Sequence, residues 1–564
     1  MTAIRLPESG RAPFALWPPL TLAVLVTPVV GGLLGTLLPA FGYLPALGLD
    51  RVSLAAFGEL WLVPGLGTSI ALALWVALGS TLLAFVLALA FVAGTMALPR
   101  SAWTRRLVTP LLAAPHVGVA VGLAFLLAPS GLLVRAASPW LTGWQVPPAW
   151  LFPGDPWGLA LVFALVAKET PFLVLMILAG QTGIDADRRL IAARSLGHGP
   201  LVAWIVAVLP TLYPGLRLPL FAVLAYGFAP VDMAAILGPT VPPILGVRVV
   251  ELLGDAQLAR WPVGAAAALL LLALACLAMG FWRLLERPTA ALGRRWLTGG
   301  PGRPMPALIP RSILTVAVLP SALALLGLAT LPLWSVAGRW RFPGLWPDGL
   351  RFDGWSALGV DLASSVVVTL TLAVVVAGVA VALVVLCLEA ETHRRRAVPP
   401  RAVLWLFLPL VVPQAAFLFG VQVLLAGLRV DGTVLAVAVV QLAFVVPYAF
   451  LTLAGPFRAL DPRWALAARS LGRRPGEVLW RIKLPLLAAP LATALAVSVA
   501  VSVALYLPTM FAGSGRVRTL AVEAVALAGA DRRSAGIVVT VLALIPLVAF
   551  AAAAVVRRRT ERRR

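Results

Sequence analysis

Four ionisable residues sit within or beside long apolar stretches of this chain: Lys168, Glu169, Arg217 and Asp232. Charge at membrane depth is costly, so such residues mark substrate or ion pathways or close into structural ion pairs. Both readings stand for these four. The second half of the chain carries no matching charges, so a pathway built from them is lined unequally. Other chemistry-bearing residues are scattered. His116, His198 and His393 lie far apart in sequence, and His116, directly after Pro115, reads as a hydrogen-bonded structural histidine. Cys276 and Cys387 both fall in apolar stretches, which supports neither a disulfide framework nor a cysteine metal site. No Ser/His/Asp constellation and no metal-ligand cluster is visible, so no catalytic residue and no cofactor is expected. The only lysines, Lys168 and Lys483, are followed by Glu169 and Leu484, which excludes the Gly-Lys-Ser/Thr of a phosphate-binding loop.

A different kind of signal comes from repetition. Ala-Ala-Arg-Ser-Leu-Gly occurs at 192–197 and again at 467–472, an offset of 275 residues. Leu209-Pro210 and Leu484-Pro485 keep that offset, as do two Leu-Ala-Gly triplets, 178–180 and 453–455. Internal repetition fixes architecture before any other feature does. Each copy begins with Asp185 or Asp461, residues able to cap a helix N-terminus. Gly197 or Gly472 then permits a sharp turn after a helical segment. An apolar run, 201–208 or 478–482, leads into Leu-Pro. The expected product is a short helix, a turn and a second short helix along one membrane face. Paired alanines there let another protein approach closely.

The elements that carry these residues are membrane spans. Of 564 residues 61% are hydrophobic and 12% charged, and mean hydropathy is +0.99, whereas soluble domains carry about 25% charged residues. Stretches of about 20 apolar residues cross a bilayer as helices. Twelve are expected: 15–38, 66–94, 107–128, 158–181, 207–230, 262–282, 312–335, 360–388, 402–427, 430–455, 484–509 and 535–556. The net charge of +23 follows the positive-inside rule: alternating the spans from a cytoplasmic N-terminus puts most of the 45 basic residues inside, without recourse to nucleic acid. Both termini are then cytoplasmic. Six spans per half give both halves the same orientation, a parallel repeat. Two weaker repeats, 247–255 and 520–528, read as short amphipathic external helices. Trp140, Trp144, Trp150 and Trp157, in a long external connection, read as interfacial anchors.

The repeated segment resembles the EAA motif of binding-protein-dependent ABC importer permeases: Glu-Ala-Ala, three residues, Gly, nine residues, Ile-x-Leu-Pro. The second copy fits from Ala467-Ala468 through Gly472 to Ile482-Lys483-Leu484-Pro485, and the first fits at Ala192-Ala193, Gly197 and Leu209-Pro210, with Ala207 in place of Ile. Neither copy has the glutamate; Ile191 and Leu466 stand there. The resemblance implies an all-α integral membrane protein of about twelve transmembrane helices in two parallel six-helix repeats, the ABC transporter type-1 transmembrane domains. It divides the chain into an N-terminal segment with the first helix (1–65), a first permease domain (66–282), a cytoplasmic linker (283–311), a helix with an external loop (312–361), a second permease domain (362–555) and a basic tail (556–564). A homodimeric cytoplasmic ATPase would dock on the two loops, and an extracytoplasmic substrate-binding protein on the other face, in a bacterial inner membrane. Ala192, Ala193, Gly197, Ala467, Ala468 and Gly472 are then the coupling contacts, with Arg194 and Arg469 as polar ones and Leu209, Pro210, Leu484 and Pro485 leading back into the membrane. Fused permeases of this kind resemble the ferric iron and thiamine importers, which leaves thiamine, ferric iron or another small solute as cargo. A six-plus-six secondary transporter fits the length and the parallel repeat, but gives no reason for the duplicated loops.

Overall fold

A computed structural model of the protein describes residues 14–45, 48–97, 114–297, 308–394 and 400–563. These residues are almost entirely helical, the outcome that a bilayer imposes, since every backbone polar group must be satisfied within its own segment. In chain order the principal helices are α1 (Trp17–Ala40), α2 (Leu66–Ala97), α3 (His116–Leu127), α4 (Leu159–Thr182), α5 (Ala186–Ser195), α6 (Leu209–Phe228), α7 (Val231–Leu237), α8 (Leu245–Leu253) and α9 (Trp261–Leu297). The second half follows with α10 (Leu308–Val336), α11 (Gly359–Arg394), α12 (Pro400–Val411), α13 (Gln414–Gly427), α14 (Val434–Arg458), α15 (Pro462–Ser470), α16 (Ala488–Ala504), α17 (Leu520–Leu527) and α18 (Arg532–Arg563). Among the described residues ten helices are long and apolar enough to cross a membrane, or twelve if two bent pairs each count as one span.

The bent pairs are where sequence and structure part. The expected span 402–427 is α12 and α13, meeting at 94° across Val412 and Pro413. Pro413 has no N–H for a helical bond and sits as the residue before α13. The expected span 484–509 begins earlier, in a helical stretch from Pro475 to Leu486 that turns by 82° at Leu487 into α16. The stretch 283–297, expected as the start of a linker, is a continuation of α9 to Leu297; residues 298–307 of that linker lie outside the described residues, as do 107–113 of the third expected span. Short helices form at both places where external ones were expected, as α8 and α17.

Each half keeps its central helices together: α2, α4 and α6 in the first, α11, α14 and α16 in the second. The leading helix of each half keeps one neighbour at home, α9 for α1 and α18 for α10, but otherwise packs on the other half. α1 lies along α13 and touches α11 and α14, while α10 lies along α3 and touches α2 and α4. Glycine allows both crossings. A Cβ on Gly35 would stand 2.6 Å from the Gly420 carbonyl oxygen, and one on Gly122 would stand 2.8 Å from the Gly327 carbonyl carbon. Lipid tails are as apolar as leucine, so helices in a membrane associate through such close backbone packing. Thr36 Oγ1 completes the first crossing by accepting from Gly420 N at 3.1 Å while donating to Gly32 O at 2.9 Å.

Candidate functional site

The two repeated segments fold alike. α5 and α15 each end at a glycine in the left-handed region, Gly197 at φ 88° and Gly472 at φ 79°. Matching backbone bonds close both ends: Gly197 N donates to Arg194 O and His198 N to Ala193 O, as Gly472 N donates to Arg469 O and Arg473 N to Ala468 O. A one-turn helix follows, Pro200–Ala203 or Pro475–Val478, and then a π-helical turn, Trp204–Val208 or Leu479–Lys483. The two π turns also stand 275 residues apart, so a feature of backbone geometry repeats in the register of the sequence. π turns are rare and occur often at functional sites.

The faces repeat as well. Ala193 and Ala468 are buried against the rest of the chain, whereas Ala192 and Ala467 are exposed. Around the exposed alanines stand Ile191 and Leu196 in one copy and Leu466 and Leu471 in the other, all large, apolar and well exposed. Ile191 and Leu466 occupy the positions of the missing glutamates. Arg194 and Arg469 are exposed on the same helices. The caps differ: Asp461 Oδ1 accepts from Arg463 N at 2.9 Å as expected, but Asp185 lies at φ 48° and its carboxylate caps nothing. Left-handed backbone turns the Asp185 side chain away from the first N–H groups of α5.

Inward from the loops the two copies diverge. The first π turn is anchored by apolar contacts, with Trp204 and Val208 fully buried. The second is anchored by charge. Lys483 Nζ donates to Glu389 Oε2 at 2.6 Å, both residues being buried, and His393 Nε2 lies 3.2 Å from Glu389 Oε1. Arg469 Nη2 meets the His393 ring at 3.2 Å, so the exposed loop is joined through His393 to the buried carboxylate on α11. Glu389 stands one residue beyond the expected span 360–388, so membrane depth does not mark it; the signal for it is Lys483, one of two lysines in the chain.

The four charges first singled out do not form one group. Arg217 is on α6 and pairs with Glu286 on α9 at 2.9 Å. Lys168 is buried on α4 and donates to Ala114 O at 2.6 Å. Glu169 and Asp232 belong together through a chain of contacts. His116 Nε2 lies 3.5 Å from Glu169 Oε1, the His116 ring packs 4.8 Å from that of Tyr226, and Tyr226 OH donates to Asp232 Oδ1 at 2.9 Å. The second half faces this cluster with Tyr448, in electrostatic reach of Glu169, and Tyr506, in reach of Asp232. Phe172 and Tyr448 touch across the two halves, their ring centroids 6.4 Å apart. His116 and the three tyrosines keep part of their surface uncovered, while both carboxylates are nearly covered. His116, expected as a hydrogen-bonded structural histidine, stands at ion-pair distance from Glu169 with no hydrogen bond between them. Among the described residues no group of His, Cys, Asp and Glu has the arrangement to hold a metal ion.

No protein-family model matches the chain, and no solved structure does. Curated proteins do. The chain is 28% identical over 456 residues to the inner membrane ABC transporter permease protein YnjC of Escherichia coli (strain K12), an alignment covering 79% of this chain and 80% of that protein. It is 30% identical over 215 residues to the molybdenum transport system permease protein ModB of Mycobacterium tuberculosis (strain ATCC 25618 / H37Rv), and equally to ModB of Mycobacterium bovis; here 36% of this chain covers 79% of the relative.

Proposed function

This chain belongs to the ABC transporter permeases, and from that premise we propose that it is the membrane subunit of an ATP-driven importer, with both permease halves fused in one polypeptide. Thirty-six percent of the chain suffices to cover most of ModB, as a fusion of two such units requires. The observation that carries the coupling role is the duplicated loop. Two copies of the same helix, left-handed glycine, short helix and π turn present exposed Ala192 and Ala467 within apolar rims. Two equivalent sockets suit a dimer of ATPase subunits in the cytoplasm. The glutamate of the related motif is replaced by Ile191 and Leu466, so the contact here is apolar, with Arg194 and Arg469 as its polar margin. An extracytoplasmic binding protein would deliver cargo to the opposite face. Both termini would be cytoplasmic, in a bacterial inner membrane.

Closure of the ATPase dimer would push α5 and α15, and through the π turns α6 and α16, between inward-open and outward-open states. A ligand drives such a change only through differential contacts in the two states. The translocation path is assigned to the interface of the halves, with Glu169 and Asp232 as its charged residues and Tyr226, Tyr448 and Tyr506 around them. Lys168 offsets part of the charge of Glu169, so the preference of this lining for a cationic solute over an oxyanion rests chiefly on Asp232. Thiamine and ferric iron fit that preference. Arg217 and Lys168 are structural on this reading.

The test is affinity purification of the tagged chain from its native membrane with identification of what accompanies it. Recovery of an ATPase at about two copies per chain, and ATP-dependent uptake by the reconstituted complex, are the expected results. Recovery of the chain alone, with uptake driven by an ion gradient and not by ATP, would replace the importer by a secondary transporter.

A further inference from the structure

We propose that the cleft between α6 and α9 binds the phosphate headgroup of an anionic phospholipid from the leaflet that faces the coupling loops. The cleft has a volume of about 620 Å³ and is lined by Arg217, Arg283, Glu286, Arg287 and Arg294 together with Leu284 and Ala290. One carboxylate faces four guanidinium groups, and that carboxylate is already fully engaged. Glu286 Oε2 accepts from Arg283 at 2.7 Å and lies 2.9 Å from Arg217 Nη2, while Oε1 accepts from Tyr213 OH at 3.0 Å and from Arg217 Nε at 3.2 Å. Arg287 and Arg294 have no carboxylate partner among the described residues. They stand with Arg283 and Ala290 on one stripe of α9, at spacings of four, three and four residues. The cleft is therefore a preformed site of net positive charge. Arginine suits phosphate because its planar fork donates two parallel hydrogen bonds.

The position of the cleft decides what kind of phosphate reaches it. The apolar run of α9 ends at Phe281, and Trp282 Nε1 donates to Tyr213 OH at 3.0 Å. A Trp–Tyr pair beside arginines marks the level of the lipid headgroups. On either side of the cleft α9 exposes Leu277, Phe281, Leu284 and Leu292, a surface for acyl chains. Basic pockets between transmembrane helices on the cytoplasmic side take anionic headgroups by this combination of charge below and apolar surface above. A soluble phosphate compound would use the charge but leave the apolar rim idle. The site also bears on the machinery. Arg217 lies on α6, the helix that leaves the first π turn, so a bound headgroup braces the helix through which the first loop acts on the membrane half.

The experiment is native mass spectrometry of the full chain in detergent, after incubation with phosphatidylglycerol or with phosphatidylcholine. The expected result is selective retention of phosphatidylglycerol. Arg287→Gln with Arg294→Gln should weaken that retention about 30-fold, the effect of two headgroup-level arginines, and Arg287→Lys with Arg294→Lys should keep most of it. Excess inorganic phosphate should not displace the lipid. Equal retention of both lipids by the unaltered chain would overturn the proposal without recourse to any variant. So would unchanged retention in a monodisperse double glutamine variant. Displacement by inorganic phosphate alone would make the cleft a soluble-phosphate site instead. None of these readouts involves the ATPase, so the proposal and the importer reading fail separately.

Discussion

Lys483 and Glu389 meet at 2.6 Å in a fully covered pocket, the lysine from the second π turn and the glutamate from the end of α11. Their counterpart in the first half is an apolar anchor, with Val208 at the position of Lys483. One repeated segment is thus held by packing and the other by a buried charge pair. Removing one member strands the other charge, at a cost of about 3–5 kcal/mol, whereas replacing both by apolar residues is often neutral. Lys483→Met should therefore lower the thermal midpoint of the detergent-solubilised chain substantially, and Lys483→Met with Glu389→Leu should recover most of the loss. An additive double variant would mean that the two residues do not act as a pair.

Gly197 and Gly472 need left-handed backbone, which costs a residue with a side chain roughly 1–2 kcal/mol. A Cβ on Gly472 meets nothing within 4 Å, so the penalty there is conformational and not steric. Valine at either position should abolish uptake while the amount of chain in the membrane stays unchanged. Asparagine, which tolerates this conformation better, should retain part of the activity. Normal uptake in both valine variants would remove these loops from the coupling path.

Leu196 and Leu471 are equivalent, exposed and apolar, at opposite sockets. Aspartate at either should weaken co-purification of the ATPase, and aspartate at both should abolish it, since an unpaired charge would be covered in the contact. Pull-down stoichiometry measures this directly. An undiminished ATPase yield from the double variant would place the contact elsewhere.

Glu169→Gln and Asp232→Asn each remove a negative charge from the interface between the halves without changing its shape. Uptake of a cationic cargo should fall in both, and Tyr226→Phe, which removes the hydrogen bond to Asp232, should have a smaller effect. Faster uptake in the amide variants would identify the cargo as an anion.

Gly420 lies so close to the backbone of Gly32, Gly35 and Thr36 that a single methyl group cannot be accommodated without separating α1 from α13. Gly420→Ala should destabilise the chain by about 3 kcal/mol, the upper range for overpacking. Melting of the purified protein checks it, with Gly427→Ala, where the space is open, as the control.

The sequence shows the spans because length and hydropathy alone determine whether a segment crosses a bilayer, and it shows the loops because they are duplicated. It does not show which span lies beside which. All twelve are similarly apolar, and α1 reads no differently from a helix that packs within its own half. The clue lay in the spacing of Gly32, Gly35 and Gly420, which becomes legible only once two backbones are seen to touch. The bend at Pro413 was equally hidden, since proline is common in these helices and most of those prolines, among them Pro171, Pro214 and Pro447, sit inside unbroken ones. The charges were visible, but their grouping was not: contacts across helices set Arg217 with Glu286 and leave Glu169 with His116.

The exchange of leading helices between the halves has a consequence for biogenesis. During synthesis α1 enters the membrane long before α13 exists, and α2 to α4 wait for α10 before their surface is closed. Neither half can reach its final packing alone, so the packing of each is completed only as the second half is made. Two separately encoded halves, cut between α9 and α10, should accumulate only when both are made together, each serving as the missing piece of the other.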